Sequence, residues 1–194
     1  MPPDNGLTPA RLFALIVEGY TAPRQSMARV LAMQPDERAR LLMVCIGVAV
    51  GAMGFALFGE RNPAAGQGSP VLGYLVTVLA GLLQYYGFAW LIGLGSAVFG
   101  GKGETEDNRT LVAWWALVTA PLPVVMMASL QSVQSPFAAI TLVGSGILSV
   151  VLLAAYITQT HHFASTGRVC GAIMMMVMIF SFILSSILPM PAPV

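Results

Sequence analysis

The chain is poor in charge. Asp, Glu, Lys and Arg make up 9% of its 194 residues, against about 25% in an ordinary soluble domain. Residues 41–59, 62–101, 110–167 and 169–194 contain none of the four. A soluble domain of this length cannot hide so much apolar surface, so lipid is the expected solvent for most of it. Net charge is +1, which excludes a basic surface for nucleic acid. There are only two cysteines. Cys45 and Cys170, each at the start of an apolar run, are too few for a disulfide framework and read as small buried hydrophobes. Proton relays, ion-coupled transport and voltage sensing need an ionisable group within the membrane. The apolar runs lack carboxylates, Lys and Arg, so a pump or secondary transporter is not expected. No Ser-His-Asp, Cys-His or His-Glu-x-x-His arrangement is present. The chain therefore reads as non-enzymatic, with no cofactor. No polar segment is long enough for a second domain, which usually needs about 50 residues. The first apolar run begins near residue 41, too far along for a leader of about 15–30 residues.

What is present is apolar: 57% of the residues are hydrophobic. A bilayer core about 30 Å thick takes roughly 20 residues per helical crossing. The chain has room for five, and the expected fold is an all-α integral membrane protein. Its five-helix transmembrane bundle would carry short amphipathic interfacial helices at the N-terminus. Residues 1–34 form the cytoplasmic or interfacial segment and 35–190 the membrane domain. The spans fall at about 35–58, 71–99, 109–130, 137–160 and 169–188. Thr8-Pro9 reads as a helix cap and first turn, and places Leu12, Leu15, Ile16 and Tyr20 on one face. Pro23 opens a second short segment with Met27, Val30 and Leu31 on one face. These segments suit helices lying in the headgroup plane, and a helix tucked against the membrane domain is the alternative. Pro35-Asp36-Glu37 opens the first span, and Asp107 and Asn108 are read as caps of the third.

Orientation follows from the basic residues. With a cytoplasmic N-terminus, Arg11, Arg24, Arg29, Arg38, Arg40, Lys102, Arg109 and Arg168 share one side, and Arg61 alone lies opposite. Eight against one places the N-terminus in the cytoplasm and the C-terminus outside an inner (cytoplasmic) membrane.

The candidate residues follow from this layout. Gly47 and Gly51 form a G-x-x-x-G, and Gly81, Gly87, Gly93 and Gly95 stud the second span. Small residues let membrane helices approach closely, so these glycines mark helix packing or a groove for a partner helix. Gly144-Ser145-Gly146 adds to the same pattern. Pro121 and Pro123 should kink the third span, because each removes a backbone hydrogen bond. Gln84, Tyr85 and Tyr86 in the second span and Thr158, Gln159 and Thr160 at the end of the fourth are polar residues for interhelical hydrogen bonds, and Gln84, Tyr85 and Thr158 are the ones that would line an uncharged path. His161-His162 reads as a pair exposed to headgroups. Adjacent histidines point apart and structural zinc spacing is missing, so no metal is expected. Met174, Met175, Met176 and Met178 take different faces of a helix and read as soft packing. Gly100-Gly101-Lys102-Gly103 lacks phosphate-loop spacing and reads as a helix end.

An amphipathic N-terminal segment followed by five spans resembles the Yip family (Ypt-interacting proteins), in particular its small bacterial members. Three local features carry the likeness. Thr21-Ala22-Pro23-Arg24 with Ala28-Arg29-Val30-Leu31 is similar to the family's segment before the first span. Phe99-Gly100-Gly101-Lys102-Gly103 with Glu106, leading into Leu111-Val112-Ala113-Trp114, resembles the loop between spans two and three. His162 to Arg168 resembles the turn before the last span. The resemblance implies an integral membrane protein without established chemistry. Eukaryotic relatives act in vesicle traffic and membrane shaping, some through small GTPases. Their longer N-terminal region and its D-L-Y-G-P-type motif have no counterpart here, so the GTPase partner does not carry over. The function expected is binding of other membrane proteins, or of further copies, or organisation of the bilayer, as an accessory subunit, assembly factor or scaffold. The alternative is a channel or transporter for a small neutral or amphipathic solute.

Overall fold

The computed structural model describes residues 8–58, 70–130 and 136–187. The expected loop around Arg61, the turn at 131–135 and the stop at Pro189 and Pro191 lie outside the described residues. Among the described residues the secondary structure is helical throughout. The helices are α1 Pro9–Thr21, α2 Pro23–Ala32, α3 Glu37–Phe58, α4 Pro70–Val98, α5 Thr105–Thr119, α6 Pro121–Leu130, α7 Pro136–Thr160 and α8 Thr166–Ile187.

Local chemistry sets their ends. The Thr8 hydroxyl accepts the Arg11 N–H at 3.3 Å, and Pro9 sits where its missing N–H is not needed. Asp36 caps α3 by accepting the Ala39 N–H at 2.8 Å. The cap of α5 differs from expectation. Glu104 accepts the backbone N–H of Asp107, whose carboxylate accepts the Glu104 N–H at 3.2 Å. This reciprocal pair satisfies two orphan donors. Helix α5 therefore begins four residues before Arg109. Asp107 and Asn108 lie inside it, and Asn108 is free to face the bundle.

The third apolar segment is two helices. Pro121 and Pro123 have no N–H to give the carbonyls of Leu117 and Thr119. The Ala120 N–H turns back to Leu117 O instead, at 3.4 Å. Helix α5 stops at Thr119, and α6 restarts at Pro121.

Helix α5 is the centre of the molecule. It packs against α1, α2, α3, α4 and α7, with Leu111, Ala113, Trp114 and Val118 fully buried. Helix α8 packs on α7, and Met174, Met175, Met176 and Met178 are exposed.

The N-terminal pair is part of this core. Helix α2 buries Ser26, Met27 and Val30 against α5 and α7, which is the tucked arrangement. Its course is antiparallel to α5. Tyr20 and Gly19, at the turn into α2, meet Val118 and Tyr156. Ser26 meets Trp114, and Leu31 and Gln34 share a cavity with Asp107 and Thr110. Phe13 and Val17 on the outer face of α1 are exposed.

Three stretches among the described residues are long and apolar enough to cross a membrane: Thr105–Leu130, Pro136–Thr160 and Thr166–Ile183.

Candidate functional site

Chemistry-bearing side chains gather at one end of the bundle. The starts of α3 and α5 and the ends of α4 and α7 meet there. Arg40 is the hub of a charge cluster. Its guanidinium donates to Glu37 Oε2 and to Glu106 Oε2, each at 3.2 Å, and its side chain is 8% exposed. Arg109 stands 3.8 Å from the same Glu37 oxygen and 5.4 Å from the centre of the Tyr86 ring. The Tyr86 hydroxyl donates to Glu37 Oε1 at 2.5 Å. Glu37 thus collects two guanidinium groups and a phenol. The Nε–H of Arg40 is buried without a partner. A polar cavity of about 380 Å³ lies beside the cluster, lined by Gln34, Asp36, Arg40, Glu104, Glu106 and Asp107 among others.

A second node joins α5, α7 and the loop before α5. His161 is buried rather than exposed to headgroups, at 2% exposure. Its Nε2 lies 2.8 Å from Asn108 Oδ1, and its Nδ1 accepts the Gly103 N–H at 3.1 Å. Because Nδ1 accepts, the proton of the neutral ring sits on Nε2 and is donated to Asn108. Burial pushes the imidazole below its ordinary value. The Asp107 carboxylate opposes that shift and His162 adds to it. The ring fits because its neighbours have no side chains. A Cβ at Gly101 or Gly103 would stand 2.8 Å from Nδ1. His162, by contrast, is exposed.

A third set fastens the N-terminal helices. Trp114 Nε1 donates to Ser26 Oγ, which donates to Leu15 O, both at 3.2 Å. The Tyr156 hydroxyl donates to Gly19 O at 3.2 Å, and the Tyr20 hydroxyl to Val118 O. Burial pushes the Tyr20 phenol above its ordinary value.

The sequence candidates fall into several places. A Cβ at Gly47 would come within 2.7 Å of Ala116 O, and one at Gly81 within 2.7 Å of Val48 Cγ2. One at Gly51 would only touch Pro123, 4.0 Å away. One at Gly93 would meet Asn108 Nδ2 at 2.9 Å. Gly87, Gly95, Gly144 and Gly146 face open space. Gly100 has φ +77 and turns the chain out of α4, a conformation suited to glycine. Gly101, Gly103, Glu106 and Trp114 belong to the nodes above. Tyr85 is buried, Gln84 is exposed, and Thr158 hydrogen-bonds to Ala154 O of its own helix at 2.6 Å. None of these three lines the acidic cavity or a second cavity, about 540 Å³, between α1 and α2. Cys45 and Cys170 are free thiols, partly buried. Among the described residues no three His, Cys, Asp or Glu side chains form a metal-binding group.

Sequence reasoning missed the partners of Arg40, Asn108 and Tyr20. Nothing local pairs residues 53 or 98 positions apart. The one local hint is that His161 and Asn108 border long apolar runs, where a polar side chain that becomes buried needs a partner.

A family model described as Yip1 domain matches residues 19–187, from the Gly19 contact of Tyr156 to the last residue of α8. The chain belongs to the Yip1 family. The match takes in every element of the three nodes except the first turns of α1. No curated protein and no solved structure matches the chain. The Yip1 domain here is a membrane protein, helical among the described residues, whose Arg40 and His161 nodes lie at one end.

Proposed function

We propose that this Yip1-domain protein is a non-enzymatic scaffold of the bilayer. It crosses five times, at α3, α4, α5–α6, α7 and α8, with a cytoplasmic N-terminus and an outer C-terminus in the inner membrane. It organises lipid and docks other membrane proteins, as an accessory subunit or assembly factor.

One observation carries this reading. The α1–α2 pair packs beside α5 and the end of α7, from Asp107 to Val118. In the proposed orientation two extra helices thicken the cytoplasmic half of the bundle, and among the described residues nothing comparable borders α6. A body wider in one leaflet favours curvature toward the other. The open glycines Gly87 and Gly95 on α4 offer close approach to a partner helix. Pro121 and Pro123 bend the third crossing. The channel alternative gains no support from Gln84, Tyr85 and Thr158, which line neither of the two cavities described above.

The test is reconstitution of the full chain into vesicles of uniform size at rising protein-to-lipid ratio. Vesicle diameter measured by electron microscopy should shrink, with the N-terminal side on the convex face. Diameters equal to those of lipid alone at every ratio would remove the bilayer-shaping reading.

A further inference from the structure

We propose that His161 is an acid-sensitive latch on the loop from Phe99 to Glu104: the neutral ring holds Gly103, and a proton on Nδ1 releases it. The latch is a matter of donors and acceptors. Neutral His161 presents one acceptor, Nδ1, to the Gly103 N–H, and one donor, Nε2–H, to Asn108 Oδ1. The imidazolium has two donors and no acceptor. Its Nε2–H keeps Asn108. Its Nδ1–H faces the Gly103 N–H, so one hydrogen bond is lost and two donors confront each other. The ring has no room to step aside. Gly101 and Gly103 close on one face, Phe163 stacks at 5.9 Å, and the residue is buried.

The loop depends on this contact. Its other ties to the node are Lys102 N–H to His161 O, long at 3.4 Å, and Gly101 N–H to Ser96 O at 2.8 Å. The second lies at the α4 end and holds the loop's start, leaving Gly103 as the point of attachment ahead of α5. Glu104, the next residue, caps α5 and lines the acidic cavity. Release of Gly103 therefore loosens the α5 cap and one wall of that cavity.

The charged and titratable groups around the ring are few. Asp107 on α5 attracts the imidazolium, but its carboxylate is held by the Glu104 N–H. His162 beside the ring repels it, Lys102 in the loop meets His161 only through its backbone N–H, and Ser96 of α4, which holds the Gly101 N–H, is neutral. Asp107 is the carboxylate that favours the proton, and burial outweighs it.

The experiment is amide hydrogen exchange at Gly103 in the full chain in lipid nanodiscs, corrected for intrinsic exchange, at about pH 7.5 and pH 5. Protection of Gly103 should fall about tenfold in acid, the factor that corresponds to one ordinary hydrogen bond. Asn108→Asp puts a carboxylate against Nε2 and should move the midpoint to higher pH, which a purely structural ring would not do. His162→Gln should leave the midpoint within the small shift its own charge allows. ¹⁵N NMR of labelled histidine should find His161 with the proton on Nε2 at neutral pH. A proton on Nδ1, or unchanged Gly103 protection across the range, would overturn the latch. The tautomer and the wild-type exchange decide the matter even if Asn108→Asp does not fold.

Discussion

The hydroxyl of Tyr20 donates to the main-chain oxygen of Val118, just before the break between α5 and α6. The two residues are 98 positions apart, and the bond ties the α1–α2 turn to the backbone beside the α5–α6 break. Tyr20→Phe leaves a carbonyl short of a partner in an apolar setting. We expect a loss of about 1–3 kcal/mol, read as a lower Tm in mild detergent. A Tm equal to that of the wild type would show that the bond adds nothing.

Gly47 and Gly87 make a matched pair. A methyl at Gly47 would press on the backbone of Ala116, which cannot swing away, whereas a methyl at Gly87 meets nothing within 4 Å. Gly47→Ala should cost about 1–3 kcal/mol through overpacking. Gly87→Ala should be neutral or stabilise by up to about 1 kcal/mol through helix propensity. Thermal unfolding of the two variants side by side tests the α3–α5 contact. Equal shifts would contradict it.

Glu37 and Glu106 both pair with Arg40 but are not equivalent. Glu37 also meets Arg109 and Tyr86, whereas the Glu106 side chain is 75% exposed. Glu37→Gln should cost on the order of 2 kcal/mol, because Arg40 then keeps a buried charge with one exposed partner. Glu106→Gln should cost less than about 1 kcal/mol, as exposed pairs do. Denaturation midpoints in detergent rank the two, and the reverse order would refute Glu37 as the main partner of Arg40.

Global stability should also depend on His161. Its folded-state pKa lies below the ordinary value of about 6.5. As pH falls below that value, the unfolded chain binds a proton that the folded chain does not, so folding loses stability. The contribution is complete above about pH 6.5 and disappears as pH falls through the folded value. Tm should therefore drop between about pH 7 and pH 5, and His161→Gln should flatten that slope. An equally steep slope in the variant would assign the effect to other groups.

Much of the layout is legible in the order of residues. Long uncharged runs mean helices, since lipid offers no partner for open backbone groups. Capping and proline chemistry place most helix ends within a few residues. The α5 start escaped because Glu104 is a weak cap by type and acts only through its exchange with Asp107. The split at Ala120 also exceeds what one proline in a span implies. Two prolines, spaced by one residue, deny N–H groups to two carbonyls of the same turn.

The candidate site was far less legible. Its contacts join Arg40 to Glu106, Asn108 to His161 and Ser26 to Trp114, each across tens of residues. Periodicity can put Met27 and Val30 on one face, but it does not say whether lipid or protein covers that face. What the sequence alone determined was the solvent and the helices, because charge content and hydrogen-bonding needs are local properties of the chain. Which helix lies beside which, and which buried ring meets a bare backbone N–H, was decided only in the tertiary structure. Those partners become neighbours only once close packing has brought distant segments to one end of the bundle.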